Sequence, residues 1–193
     1  MRDFSEAQML SEKKTDIISD IFSTFTDLPK YGNEEDYSKY LDDVFPNSKI
    51  KEIVYHGGTL NPDDRGKDPF TGEFGGKHGI YFTGSKSRAK SYLRGGSSDY
   101  KSKGKIHFAL LNIENPLDNK IWSKWKFGAD TITDEGLKQM KDYNSDGILV
   151  TDILSKYTSI QYATQYVVLD MDQVHIIGSY KDVEGFKKYM NKQ

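Results

Sequence analysis

The chain has no cysteine, which removes disulfides, a cysteine nucleophile and thiolate metal sites and leaves the redox compartment open. It has no excess of either charge. In 193 residues, 27 Lys and Arg oppose 29 Asp and Glu for a formal net charge of −2, so no overall field favours nucleic acid or an anionic membrane. It also lacks an apolar run approaching the ~18 residues of a membrane span, and no signal-peptide core follows Met1. A soluble, cytoplasmic protein with no membrane partner is expected. Neither a P-loop nor a Rossmann glycine fingerprint occurs. His78, His107 and His175 are scattered without metal-ligand spacing or paired acids, so they read as structural or surface residues and no metal is expected.

What is present begins with helical periodicity. From Ser5 to about Phe25, the residues Met9, Ile17, Ile18, Ile21, Phe22 and Phe25 recur at helical spacing among charged side chains, and Leu28-Pro29 ends that pattern. A second helix is predicted over Glu34 to Phe45: Asn33 suits an N-cap, acids fill the first turn, Tyr37, Tyr40, Leu41 and Val44 form one face, and Pro46 follows. The acids between Glu34 and Asp43 read as a solvated face. Beyond Lys51, short apolar runs at 51–55, 79–83, 106–113, 147–151, 166–170 and 174–180 read as strands. Further helices are predicted at Ser85 to Leu93, Thr133 to Tyr143 and near 182–191. Strands outnumber helices at spacings too irregular for repeated βαβ units, which points to an α+β fold with a mainly antiparallel sheet. The organisation expected is a helical segment over residues 1–50 and a second domain over 51–193. The Gly-, Asp- and Pro-rich stretch from Leu60 to His78 is a long connection of the kind that forms lids or binding loops.

Three of the strand segments carry unusual chemistry. Val54-Tyr55-His56-Gly57-Gly58 runs from apolar residues to a histidine and two glycines, which permit close approach to the backbone. Gly79-Ile80-Tyr81-Phe82-Thr83 repeats the design with a tyrosine, and Gln165-Tyr166-Val167-Val168 opens an apolar strand with an amide. Taken singly, Tyr81 and Tyr92 fit core tyrosines, His56 fits a turn residue, and Gln165 carries no signal. The basic clusters Lys86-Ser87-Arg88 and Lys101 to Lys105 read as solvated faces, and Trp122 and Trp125 as core or lid packing.

Together, in this order, the segments resemble the ADP-ribosyltransferase superfamily, in the branch of diphtheria toxin and the poly-ADP-ribose polymerases, whose signature is a histidine, a tyrosine and usually a glutamate. The likeness covers roughly residues 51–180 and is similar to small bacterial and phage-borne members, including Asp146-Gly147-Ile148 and Gln173-Val174. It implies a split sheet and an NAD-binding catalytic domain that releases nicotinamide and transfers ADP-ribose to a protein or nucleic-acid acceptor. A toxin, an effector delivered into a target cell or a host-modifying phage enzyme is the implied setting. By the resemblance, His56 holds the adenine-side ribose and Gly57 the nicotinamide amide, with Gly58, Thr59 and Phe82 beside them. Tyr81 and Tyr92 sandwich the nicotinamide ring, and Gln165 faces the reacting ribose. Arg65 is the first candidate for the NAD diphosphate, with Lys86 and Arg94 behind it.

The chain departs from the family pattern at Gln165, where the family's acid would stand near the developing oxocarbenium-like cation. Loss of one positioned electrostatic group costs on the order of 10²–10³ in rate. Substitute acids in the connecting loop are Asp63, Asp64, Asp68 and Glu73. Ser155 to Thr164, the implied acceptor-selecting segment, carries Gln161 but no acid, and the arginine-specific Glu-x-Glu pattern is absent. The alternatives are an NAD- or ADP-ribose-binding module with little or no transfer, and an NAD glycohydrolase.

Overall fold

The computed structural model describes residues 6–58, 60, 79–93, 104–118, 140–150 and 164–193. They fall into two compact units, one of the described residues through Pro46 together with Ile176–Gln193, the other within Asn47–His175.

The first unit is helical. Helix α1 (Glu6–Thr24) buries Ile18 and Ile21 from the predicted stripe, and a single 3₁₀ turn at Leu28–Lys30 with Pro29 in it follows. Helix α2 (Glu34–Val44) starts at a reciprocal cap: Asn33 Oδ1 accepts from the Asp36 N–H at 2.9 Å, and the Asp36 carboxylate accepts from the Asn33 N–H at 3.3 Å. Two of its acids pair with lysines, Glu35 with Lys39 at 2.7 Å and Asp42 with Lys14 at 2.6 Å. The C-terminal helix, residues Tyr180–Met190, is capped by Ser179, whose Oγ accepts from the Asp182 N–H. Phe186 from this helix meets Tyr37 edge-on with centroids 5.0 Å apart, and Phe22 meets Tyr37 at 5.4 Å. Asp182 is fully buried, accepting from Tyr37 Oη at 2.6 Å and from the Gly178 N–H at 2.8 Å. Packing groups Ile176–Gln193 with the N-terminal helices.

The second unit holds a sheet and, on it, helix α3 (Lys86–Leu93), making the fold α+β. The C-terminal helix is therefore α4. Among the described residues the strands are β1 (Val54–Gly58), β2 (Ile80–Thr83), β3 (Lys105–Leu111), β4 (Pro116–Asp118), β5 (Gly147–Val150), β6 (Gln165–Val168) and β7 (Val174–Ile176). Their order is β4-β5-β6-β2-β1-β3-β7. The pairs β1–β2, β1–β3, β2–β6 and β5–β6 are antiparallel, while β4–β5 is parallel. The predicted strands recur with shifted ends. The last expected run, 174–180, ends at Ile176 because the chain turns through Gly178 at φ +73° into α4. β4 was not predicted, being three residues long and begun by Pro116. Of the predicted helix at 133–143, residues 140–142 are helical, Tyr143 is in a turn, and 133–139 lie outside the described residues.

Two residues singled out in the sequence tie these strands together. The Asp146 carboxylate accepts from the N–H groups of Glu114 and Asn115 at 2.8 and 2.9 Å, where β3 leads to β4. Gln173 Nε2 donates to the carbonyls of Asp146 at 2.7 Å and Asn112 at 3.0 Å.

Candidate functional site

The three motif strands are neighbours in the centre of the sheet, in the order β6-β2-β1. Cross-strand pairing sets Tyr55 opposite Thr83, Thr83 opposite Gln165, and His56 opposite His107. Side chains alternate along a strand, so Gly57, Tyr81 and Gln165 share one face, whereas His56, Phe82, His107 and Tyr166 share the other. His56 lies in the middle of β1 and not at its end, because pairing with β3 continues to Gly58 opposite Lys105.

Helix α3 packs across the Gly57 face. A Cβ on Gly57 would stand 1.9 Å from the Ala89 carbonyl oxygen, so this glycine is what lets the helix backbone reach the strand. Lys86 Nζ sits 4.8 Å above the Phe108 ring on the same face. Docked this way, α3 carries Arg88 and Tyr92, one helical turn apart, to the first residue of β6.

There the Gln165 side chain meets both. Its oxygen is assigned by the donors around it. Turned toward α3, it accepts from Tyr92 Oη at 3.2 Å, Arg88 Nη2 at 3.2 Å and Arg88 Nε at 3.3 Å. The opposite orientation keeps a 3.2 Å bond to Tyr92 Oη but sets the amide NH₂, itself a donor, against the guanidinium N–H groups. Tyr92 Oη accepts from Arg88 Nε at 3.2 Å, which leaves its own proton to donate to Gln165. The Tyr92 ring is 48% exposed, leaving a face on which a planar ligand group can stack. Tyr81 is half-buried on the same sheet face.

The other face is drier. His56 is buried, its Nδ1 2.8 Å from the Tyr81 carbonyl oxygen, its ring centroid 5.6 Å from Phe82 and 6.1 Å from His107. Burial pulls its pKa below the usual histidine value, against an opposing effect of the Tyr81 hydrogen bond. A neutral ring that donates from Nδ1 to that carbonyl has Nε2 as its acceptor nitrogen. A Cβ on Gly58 would stand 2.7 Å from Nε2, so the second glycine makes room for that ring edge. His107 is pulled down to about 4 by burial, with His56 and Lys105 adding to the effect, and its Nε2 accepts from the Leu60 N–H at 3.4 Å.

The histidine and the tyrosine–glutamine group are thus linked through the Tyr81 backbone, while their side chains occupy opposite faces of the sheet. Phe82 is buried against His56 and is part of that ring's support. Thr59, Asp63, Asp64, Arg65, Asp68, Glu73, His78, Arg94, Trp122, Trp125 and Gln161 lie outside the described residues. The sequence reading left three residues out of the site: Arg88, His107 and Glu52. Glu52 accepts a hydrogen bond from Tyr166 Oη, and burial together with this carboxylate raises the tyrosine's pKa well above its usual value. The one sequence signal for Arg88 is its place four residues before Tyr92. For His107 the signal is strand register, and for Glu52 it is the placement of the residues before β1 against Tyr166 of β6; no short motif encodes either.

Among the described residues there is no group of three or more His, Asp or Glu arranged to hold a metal ion, and no helix is long and apolar enough to cross a membrane. The chain matches no family model, no curated protein and no solved structure.

Proposed function

We propose that this chain is a mono-ADP-ribosyltransferase that binds NAD, releases nicotinamide and passes ADP-ribose to a protein or nucleic-acid acceptor, with its sheet read as the split sheet of that superfamily. The observation that carries the reading is the meeting of Tyr92 in α3 with Gln165 in β6 across 73 residues of sequence, with β2 between β6 and the strand bearing His56. In this reading the Gly57 backbone and His56 orient NAD, with His56 on the sheet face opposite Tyr81 and Gln165. Tyr81 and Tyr92 stack the nicotinamide, and Gln165 hydrogen-bonds the reacting ribose. No metal is required, and the setting is that of a toxin, an effector or a host-modifying phage enzyme. The test is nicotinamide release from NAD with a protein or nucleic-acid acceptor pool present. The native chain is expected to release it and the His56→Ala/Tyr81→Ala double variant is not; equal release from the two refutes the enzyme.

A second reading has one observation in its favour. Arg88 puts a cation beside residue 165, where the family pattern has an anion. Stabilisation of an oxocarbenium-like centre is weakened there, which suits a module that binds NAD or ADP-ribose without transfer. Calorimetric binding with no turnover would establish that reading. Free ADP-ribose as the main product would instead mark an NAD glycohydrolase.

A further inference from the structure

We infer that Arg88 is a positioning residue for Gln165: with Tyr92 it holds the carboxamide oxygen toward α3, so that position 165 meets its ligand as a hydrogen-bond donor. Guanidinium nitrogens donate and never accept, and two of them converge on the amide at 3.2 and 3.3 Å while Tyr92 Oη donates from 3.2 Å. An amide is planar, so fixing its oxygen toward the helix turns its NH₂ away from Arg88 and Tyr92. The clamp has a firm base. Gly57 admits α3 to direct contact with β1, and Ser85 Oγ accepts from the Arg88 N–H at 3.3 Å in the helix's first turn.

This changes what a glutamine at 165 means. It is not a neutral copy of an acceptor carboxylate, because the acceptor atom is already engaged. The ligand atom it recognises offers a lone pair, and the local charge is that of the guanidinium. On the proposed NAD reading, on which this consequence rests, that atom is the oxygen of a ribose hydroxyl, and Arg88 also governs what a carboxylate at 165 could do. Placed beside Arg88, it would form an ion pair and spend its charge there; its field reaches the ribose only once Arg88 is removed.

The experiment is a carbon-detected NMR titration of the introduced carboxylate in the full chain carrying Gln165→Glu, compared with Gln165→Glu/Arg88→Met and Gln165→Glu/Arg88→Lys. The carboxylate is expected to titrate about 1 unit or more lower when Arg88 is present than with Arg88→Met. Arg88→Lys keeps the charge without the fork and should fall between; it also serves if Arg88→Met does not fold. Equal midpoints in all three overturn the clamp. Nicotinamide release from NAD forms the second arm, where the gain from Gln165→Glu should be larger with Arg88→Met than with Arg88 in place. If the midpoints separate and no variant binds NAD by calorimetry, the clamp stands and the NAD reading fails.

Discussion

At His56 and His107 the same burial that neutralises the rings sets a direction for stability with pH. Both imidazoles have pKa values lowered in the folded chain, His107 to about 4, against ~6.5 unfolded. Below that unfolded value the unfolded chain binds the additional proton, so the stabilisation is complete above pH ~6.5 and is lost as pH falls toward about 4. Between pH 7 and 5, above most carboxylate titrations, His107 alone is expected to cost roughly 1–2 kcal/mol. Urea unfolding at the two pH values measures this, and His107→Gln should remove most of the difference. An unchanged slope in that variant would assign the effect elsewhere. That His107 belongs beside His56 was not legible in the sequence, because the pairing of β1 with β3 joins residues whose local patterns contain no reference to one another.

At the scale of elements, the docking of α3 on β1 turns on one hydrogen atom. Gly57 has ordinary strand geometry, and what forbids a side chain there is the Ala89 carbonyl 1.9 Å from the would-be Cβ. A backbone atom cannot rotate aside as a side chain can, so Gly57→Ala must displace the helix. Overpacking of this kind costs ~1–3 kcal/mol, and chemical denaturation should show a loss in that range. A change of under a few tenths would mean that α3 does not lie on this strand. The individual helices were legible where their signals are local: Asn33 caps α2 as its type and spacing require, and the α1 stripe supplies the buried Ile18 and Ile21. β4 was not, since three residues beginning with proline show no alternation, and it exists by parallel pairing with β5.

At the scale of the whole molecule, a polar contact joins the two ends of the chain. Asp182 in α4 is buried in the helical unit, and Tyr37 in α2 donates to it at 2.6 Å. Burial and the adjacent carboxylate raise the Tyr37 pKa well above its usual value, keeping the donor proton in place. Tyr37→Phe preserves the ring contacts with Phe22 and Phe186 but leaves the buried carboxylate short of a donor, for an expected loss of about 1–3 kcal/mol. Thermal unfolding of that variant beside Phe186→Leu would separate the hydrogen bond from the packing. A Tyr37→Phe chain as stable as the native one would show that the contact contributes nothing net.

By itself the sequence determined what is local or compositional: the absence of thiol chemistry, helices α1 and α2 with the Asn33 cap, every described strand but β4, and a glutamine at 165 where the resembled family usually has an acid. Caps, turns and periodicity act within a few residues, so they survive without knowledge of the rest of the chain. Only the tertiary structure decided which face of the sheet each motif residue occupies, that α4 joins the N-terminal helices, and that Arg88 reaches Gln165. Those outcomes depend on strand register and on helix docking at a single glycine, which are set by packing between residues far apart in sequence.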